Sequence, residues 1–177
     1  MPFPEFHIVG EPSAWVVQHA ALVPISGPVL DIAAGGGRHA RFFAARGHKI
    51  TALDRDISAL EGIEGVDAVA VDLEDGSPWP LLGRQFAAVV VTNYLHRALF
   101  SALAASLAPG GALIYETFAR GNERYGKPNN PDFLLRDNEL IEAFAPALRV
   151  VAYEHRFVET PKPAMIQRLA GVRPMPS

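Results

Sequence analysis

A short apolar run, Val29-Leu30-Asp31-Ile32, leads directly into Ala33-Ala34-Gly35-Gly36-Gly37. A segment follows, residues 38–46, that places Ala40, Phe43 and Ala44 on one helical face. This order predicts strand, tight turn and helix. Glycines at 35, 36 and 37 let the backbone turn sharply and come close to a ligand. The start of the next helix adds free N–H groups and the positive end of a dipole. The turn is therefore a candidate cradle for an anionic or carboxylate-bearing ligand. Gly47 terminates the helix, and Lys49-Ile50-Thr51-Ala52-Leu53-Asp54 reads as a second strand ending on an acid. The three pieces make a βαβ unit.

The alternation continues downstream. A short helix is expected near residues 58–61 and a third strand over 68–72, followed by a loop holding Gly76, Pro78 and Pro80. Residues 86–92 are almost uniformly apolar and β-branched, as suits a central parallel strand buried on both faces, and 98–107 has helical spacing. Pro109-Gly110-Gly111 turns the chain into a strand over 112–118. The Gly-, Asn- and Pro-containing loop 119–136 is a candidate lid. Asp137 or Asn138 is expected to cap a helix to about Phe144. Strands over 148–157 and 165–172 are joined through Pro161-Lys162-Pro163, too briefly for a parallel crossover. At the other end, Ser13 is expected to cap a short helix to about Leu22 within an N-terminal appendage, residues 1–27. The expected fold is α/β: a doubly wound, mostly parallel seven-stranded sheet with an antiparallel last strand, in one domain over 1–177. Ligands on such sheets sit at the carboxyl ends of the strands.

Composition narrows the function. Sixteen basic against 19 acidic residues, with no basic run, argues against general nucleic-acid binding and favours a small-molecule partner. With no cysteine, disulfides, thiolate metal sites and cysteine nucleophiles are excluded, and the cytoplasm is the default location. The N-terminus lacks the pattern of a signal peptide, and the longest apolar run, 86–91, is too short to span a bilayer, so no membrane association is expected. Histidines at 7, 19, 39, 48, 96 and 155 show no metal-ligand spacing, so no metal is expected. A monomer or a homodimer would suit a chain of this size.

Asp54 lies 19 residues beyond Gly35, where a doubly wound nucleotide site places a carboxylate on ribose hydroxyls. The segment Gly35-Gly-Gly37-Arg-His-Ala40 also satisfies the G-x-G-x-x-A dinucleotide fingerprint, so an NAD(P)-dependent oxidoreductase is a rival reading. Three features bear on the choice. Asp31 precedes Gly35 by four residues, Asp72 ends the third strand, and Leu107-Ala-Pro-Gly-Gly111 precedes the fifth. An acid at position 31 suits a ligand with positive centres and would repel a pyrophosphate.

Together these residues resemble the class I S-adenosylmethionine-dependent methyltransferases, over about residues 29–118, which the resemblance makes the cofactor-binding core. The resemblance implies a Rossmann-like fold with S-adenosylmethionine as cofactor and S-adenosylhomocysteine as product. It would place Asp31, Ala33, Gly35 and Gly37 around the methionine part and Asp54, with Arg55 beside it, at the ribose. Asp72 and Leu73 would hold the adenine. The chain departs from the family pattern at Ala33, where glycine is usual. Asn93 would meet the cofactor's methionine end, and Tyr94, Arg97, Phe118 and Tyr125 would line the acceptor side. His96, then Glu116, are the candidate bases for an acceptor that must lose a proton. The run 133–140, Phe-Leu-Leu-Arg-Asp-Asn-Glu-Leu, is similar to small tellurite-resistance-type methyltransferases, which would imply a soft inorganic or small nucleophilic acceptor. A protein that binds S-adenosylmethionine without turnover is the third reading.

Overall fold

The structure is a computed structural model that describes residues 9–177. The first eight residues of the expected appendage, His7 among them, lie outside the described residues. Seven strands form one sheet: β1 Val29–Ile32, β2 Ile50–Asp54, β3 Val66–Ala70, β4 Phe86–Thr92, β5 Leu107–Phe118, β6 Arg149–Val158 and β7 Ala164–Val172. Their spatial order is β3-β2-β1-β4-β5-β7-β6. β1 to β5 pair in parallel, whereas β7 runs antiparallel to both β5 and β6. The chain winds outward from β1 through β2 to β3, then returns to the other side of β1 as β4. The topological switch therefore falls between β1 and β4, where doubly wound sheets open a ligand crevice.

β1 and the first six residues of β4 are buried, because β-branched and aliphatic side chains fill both faces of these inner strands. One apolar cluster gathers Leu30, Ile32, Val89, Val91, Leu113 and Phe144 on one face. A second gathers Trp15, Val29, Phe43, Ile50, Val90 and Ile114 on the other. Among the described residues four short α-helices cover the sheet: α1 Ala14–His19, α2 Arg38–Ala44, α3 Phe100–Ala105 and α4 Glu139–Phe144. No helix among the described residues is long and apolar enough to cross a membrane.

Several boundaries differ from expectation, each for a tertiary reason. Residues 13–23 do not stand off as an appendage: Trp15 and Val16 are buried in the second cluster, and Ser13 does cap α1 through its Oγ. The third strand is set two residues early, at Val66–Ala70, because its pairing with β2 starts at Ile50↔Val66. Residues 58–61 form turns only. Leu107, expected as the end of a helix, opens β5 by pairing with Phe86, and the next pair is Ala88↔Ala112. The Pro109-Gly110-Gly111 segment is thus a bulge within the strand. It needs glycine, since a Cβ on Gly111 would lie 2.8 Å from the carbonyls of Ala108 and Phe86. Asn138 precedes α4 in the left-handed region (φ 58°) without a side-chain cap. The N-terminal carboxylate of that helix, Glu139, instead accepts the backbone N–H of Arg136.

Candidate active site

β1 delivers Asp31 to the switch point, and the turn after it folds back on itself. Gly35 (φ +54°) and Gly37 (φ +81°) take left-handed conformations, and a Cβ on Gly35 or Gly36 would meet nothing within 4 Å. The surface of the turn is open to a ligand. On the inner side Gly37 packs against Leu60, whose Cδ2 would lie 2.7 Å from an added Cβ. Ala33 is also left-handed (φ 51°), a conformation that costs a residue with a Cβ about 1–2 kcal/mol. The position where the family pattern has glycine is thus one where glycine is physically favoured.

Asp31 is 2% exposed, and its Oδ2 is buried without a hydrogen-bond partner. Burial raises its carboxyl to about 7, a rise opposed by the Ala40 N–H and Arg38 and reinforced by the charge of Asp54. A buried polar atom left unpaired is costly unless something else supplies its partner. Asp54 ends β2 with its carboxylate turned onto the glycine loop: Oδ2 accepts from the Gly35 N–H at 2.8 Å and Oδ1 from the Asp56 N–H at 3.0 Å. Arg55 beside it is exposed. Asp72 is exposed past the end of β3, with Oδ1 accepting from the Glu74 N–H, and Leu73 packs on the first cluster.

Across the switch, Asn93 follows β4 in the left-handed region (φ 53°) and donates its N–H to the Glu116 carbonyl. Tyr94 turns towards the acidic loop. Its hydroxyl is raised well above the tyrosine range by burial first, then by the charge of Glu74 and a hydrogen bond to that carboxylate, with Asp72 adding to the rise. Asp72, Glu74, Arg55 and Tyr94 thus lie together. The half-buried ring of His96 makes no hydrogen bond to any described residue.

Two expected site residues are committed elsewhere. Glu116 accepts from the Ser13 hydroxyl at 2.7 Å and from Arg168 at 3.0 Å, so it ties α1 to the sheet. Arg97 donates to both oxygens of Glu139 and to the carbonyls of Asp132 and Leu134, and so clamps the loop before α4. Burial alone would raise the Glu139 carboxyl, but the hydrogen bonds from Arg97 and Arg136 win and hold it at about 2. Phe118 lines a depression beside the ends of β4 and β5, and Tyr125 stacks on Phe157 at 4.8 Å. The base of the loop 119–136 is pinned by buried Asn122, which donates to the Pro128 carbonyl and accepts from the Met165 N–H.

His39 was no candidate from sequence beyond its place in the histidine count. It is buried, and desolvation first, then Arg38, lowers its imidazole to about 3. Its Nε2 accepts the Ser13 N–H at 3.0 Å, so its proton sits on Nδ1, facing the Thr92 hydroxyl at 3.4 Å. Only the three-dimensional meeting of α1, α2 and β4 shows this link.

The residues of β1 and the turn fit S-adenosylmethionine in their chemistry: a buried acid with one oxygen unpaired, and a glycine loop whose outer surface is open. Residues 29–111 match a family model described as a methyltransferase domain. A search of curated protein sequences finds no match. Among solved structures the fold is similar to TehB from Haemophilus influenzae, with 14% identity and a TM-score of 0.72. This match covers 90% of this chain and 61% of that one, so the chain spans less than two thirds of TehB. It is also similar to the N-methyltransferase NodS from Bradyrhizobium japonicum WM9, with 18% identity, a TM-score of 0.64, and 89% and 93% of the two chains covered. A third is an S-adenosylmethionine-dependent methyltransferase from Mesorhizobium loti, with 15% identity, a TM-score of 0.70, and 91% and 99% covered.

Proposed function

We infer that the chain, a methyltransferase of the family whose domain its residues 29–111 match, moves the methyl group of S-adenosylmethionine to a small-molecule acceptor by in-line displacement. The observation that carries this reading is the unpaired, buried Oδ2 of Asp31, on the strand that leads into the open glycine turn. When bound, S-adenosylmethionine supplies a methyl carbon on a sulfonium sulfur, which an acceptor's lone pair can displace from the opposite side.

Asp31 and the turn at residues 35–37 would hold the amino-acid end, Asp54 the ribose hydroxyls, and Asp72 with the Leu73 backbone the adenine. The Gly35 N–H already serves Asp54. A dinucleotide pyrophosphate would find a carboxylate where it needs a free donor, which weighs against the nicotinamide reading. The protein's contribution is alignment and exclusion of water, with the acceptor reaching the site past Asn93 and Phe118. Where an acceptor must shed a proton, His96 has the uncommitted ring. Glu116, with both oxygens engaged, positions α1 instead. TehB and NodS lend the fold, and a small-molecule acceptor agrees with the size of the pocket beside Phe118.

Calorimetry tests the cofactor: micromolar binding of S-adenosylhomocysteine without binding of NAD(H) or NADP(H) is expected, and the reverse pattern would overturn the reading. A screen of small nucleophiles for acceptor-dependent release of S-adenosylhomocysteine separates an enzyme from a protein that only senses the cofactor. A second expectation concerns Asp54→Ala. Loss of a hydrogen-bonding carboxylate should weaken S-adenosylhomocysteine binding by about 1–3 kcal/mol. Part of that loss would come from release of the Gly35 N–H. Unchanged affinity would place the ribose away from β2.

A further inference from the structure

A depression of about 600 Å³ opens past the ends of β4 and β5, lined among others by Asn93, Phe118, Lys127, Asn130, Phe133 and Lys162, and by no acidic residue. We propose that the methyl acceptor is an organic anion, its acidic group held between Lys127 and Lys162 and its apolar body against Phe118 and Phe133. This rests on the methyltransferase reading and names the substrate class of that site.

The charge pattern carries the argument. The chain as a whole has a net charge of −3, yet two lysines and no acidic residue line this hollow. Neither lysine has an acidic partner within 4 Å among the described residues. Lys162 is nevertheless held in place. Its Nζ sits 5.4 Å from the centre of the Phe118 ring and 3.5 Å from the Lys127 carbonyl, which brings the two lysine segments together at the pocket wall. Unneutralised like charges converging on a concave surface raise the local potential and draw anions in. Phe133, 51% exposed, leaves a second ring free at the mouth. A bare inorganic oxyanion would answer the lysines but leave both rings and most of the volume unused. An anion with a flat apolar body meets all of these features.

The test uses the full chain saturated with S-adenosylhomocysteine and two fluorescent probes of similar shape. Anilinonaphthalene sulfonate carries the anionic group, and phenylnaphthylamine lacks it. The sulfonate dye should bind more tightly than the neutral one. The double substitution Lys127→Ala with Lys162→Ala should weaken it about tenfold, leave the neutral dye unchanged and leave S-adenosylhomocysteine affinity within about twofold. Equal binding of the two dyes, or no sulfonate binding, would overturn the proposal, as would indifference of the sulfonate dye to the lysine substitutions. Displacement of the dye by equimolar inorganic phosphate would overturn its organic part. Failure of the unsubstituted protein to bind S-adenosylhomocysteine is a separate result and would count against the methyltransferase reading itself.

Discussion

Replacing Asp31 by asparagine is expected to stabilise the ligand-free protein above pH 7 while weakening its binding of S-adenosylhomocysteine about a hundredfold. Both effects come from one buried carboxylate. In the folded chain burial lifts this group from its ordinary value of 3.8 to about 7, and its Oδ2 has no partner. A carboxyl raised in the folded state binds its proton more tightly there than in the unfolded chain. Its contribution to stability is therefore fully present below about pH 4 and is lost progressively up to about pH 7. At pH 8 the folded protein carries a buried charge with one oxygen unpaired, which asparagine would remove. A gain of about 1–3 kcal/mol is expected in urea denaturation at pH 8, shrinking or reversing towards pH 4.

On the proposed function, the same substitution removes the partner of the ligand's ammonium. Truncating one side of a buried charge pair costs about 2–5 kcal/mol, and about 3 kcal/mol corresponds to roughly a hundredfold in affinity. Affinity of the unsubstituted protein should also rise between pH 6 and 8, with proton release on binding, as Asp31 gives up its proton to meet a cation. The variant should lack that slope. Calorimetry at several pH values reads both quantities, and equal affinities at pH 8 would put the ammonium somewhere other than Asp31.

Trp15→Ala is the substitution expected to cost the fold most, about 3–5 kcal/mol in chemical denaturation. Trp15 is 1% exposed, its Nε1 donates to the Leu169 carbonyl at 3.4 Å, and the Arg168 guanidinium lies 4.8 Å from its ring. Removing the indole leaves a cavity and also takes away the ring on which Arg168, the partner of Glu116, rests. Val17→Ala, on the exposed side of the same helix, should change stability by no more than about 0.5 kcal/mol. Similar losses for the two variants would mean that α1 merely rests on the sheet.

The features legible in the sequence are those that local pattern encodes. The alternation of short apolar runs with helical spacing and the glycine turn sufficed for the seven-stranded sheet with its antiparallel strand. Less legible was whatever depends on a partner far along the chain. Leu107 has helical neighbours before it, and only its pairing with Phe86 makes it a strand residue. Glu116 and Arg97 look like free site residues until Ser13, 103 positions away, and Glu139, 42 away, are brought to them. Lys162 reads as part of a proline-flanked connection, and only the fold sets it beside Phe118.

The placement of β7 has a consequence for the order in which the chain is made. β7 is the last of the seven strands to be synthesised, yet it fills a slot between β5 and β6. Until it emerges from the ribosome, β5 presents an open edge that could recruit another nascent chain. The indole of Trp15, made near the start, must also wait for Leu169 before its N–H finds an acceptor. Closure of the sheet and the last hydrogen bond of this helix thus fall together late in synthesis, when a chaperone would have most reason to attend.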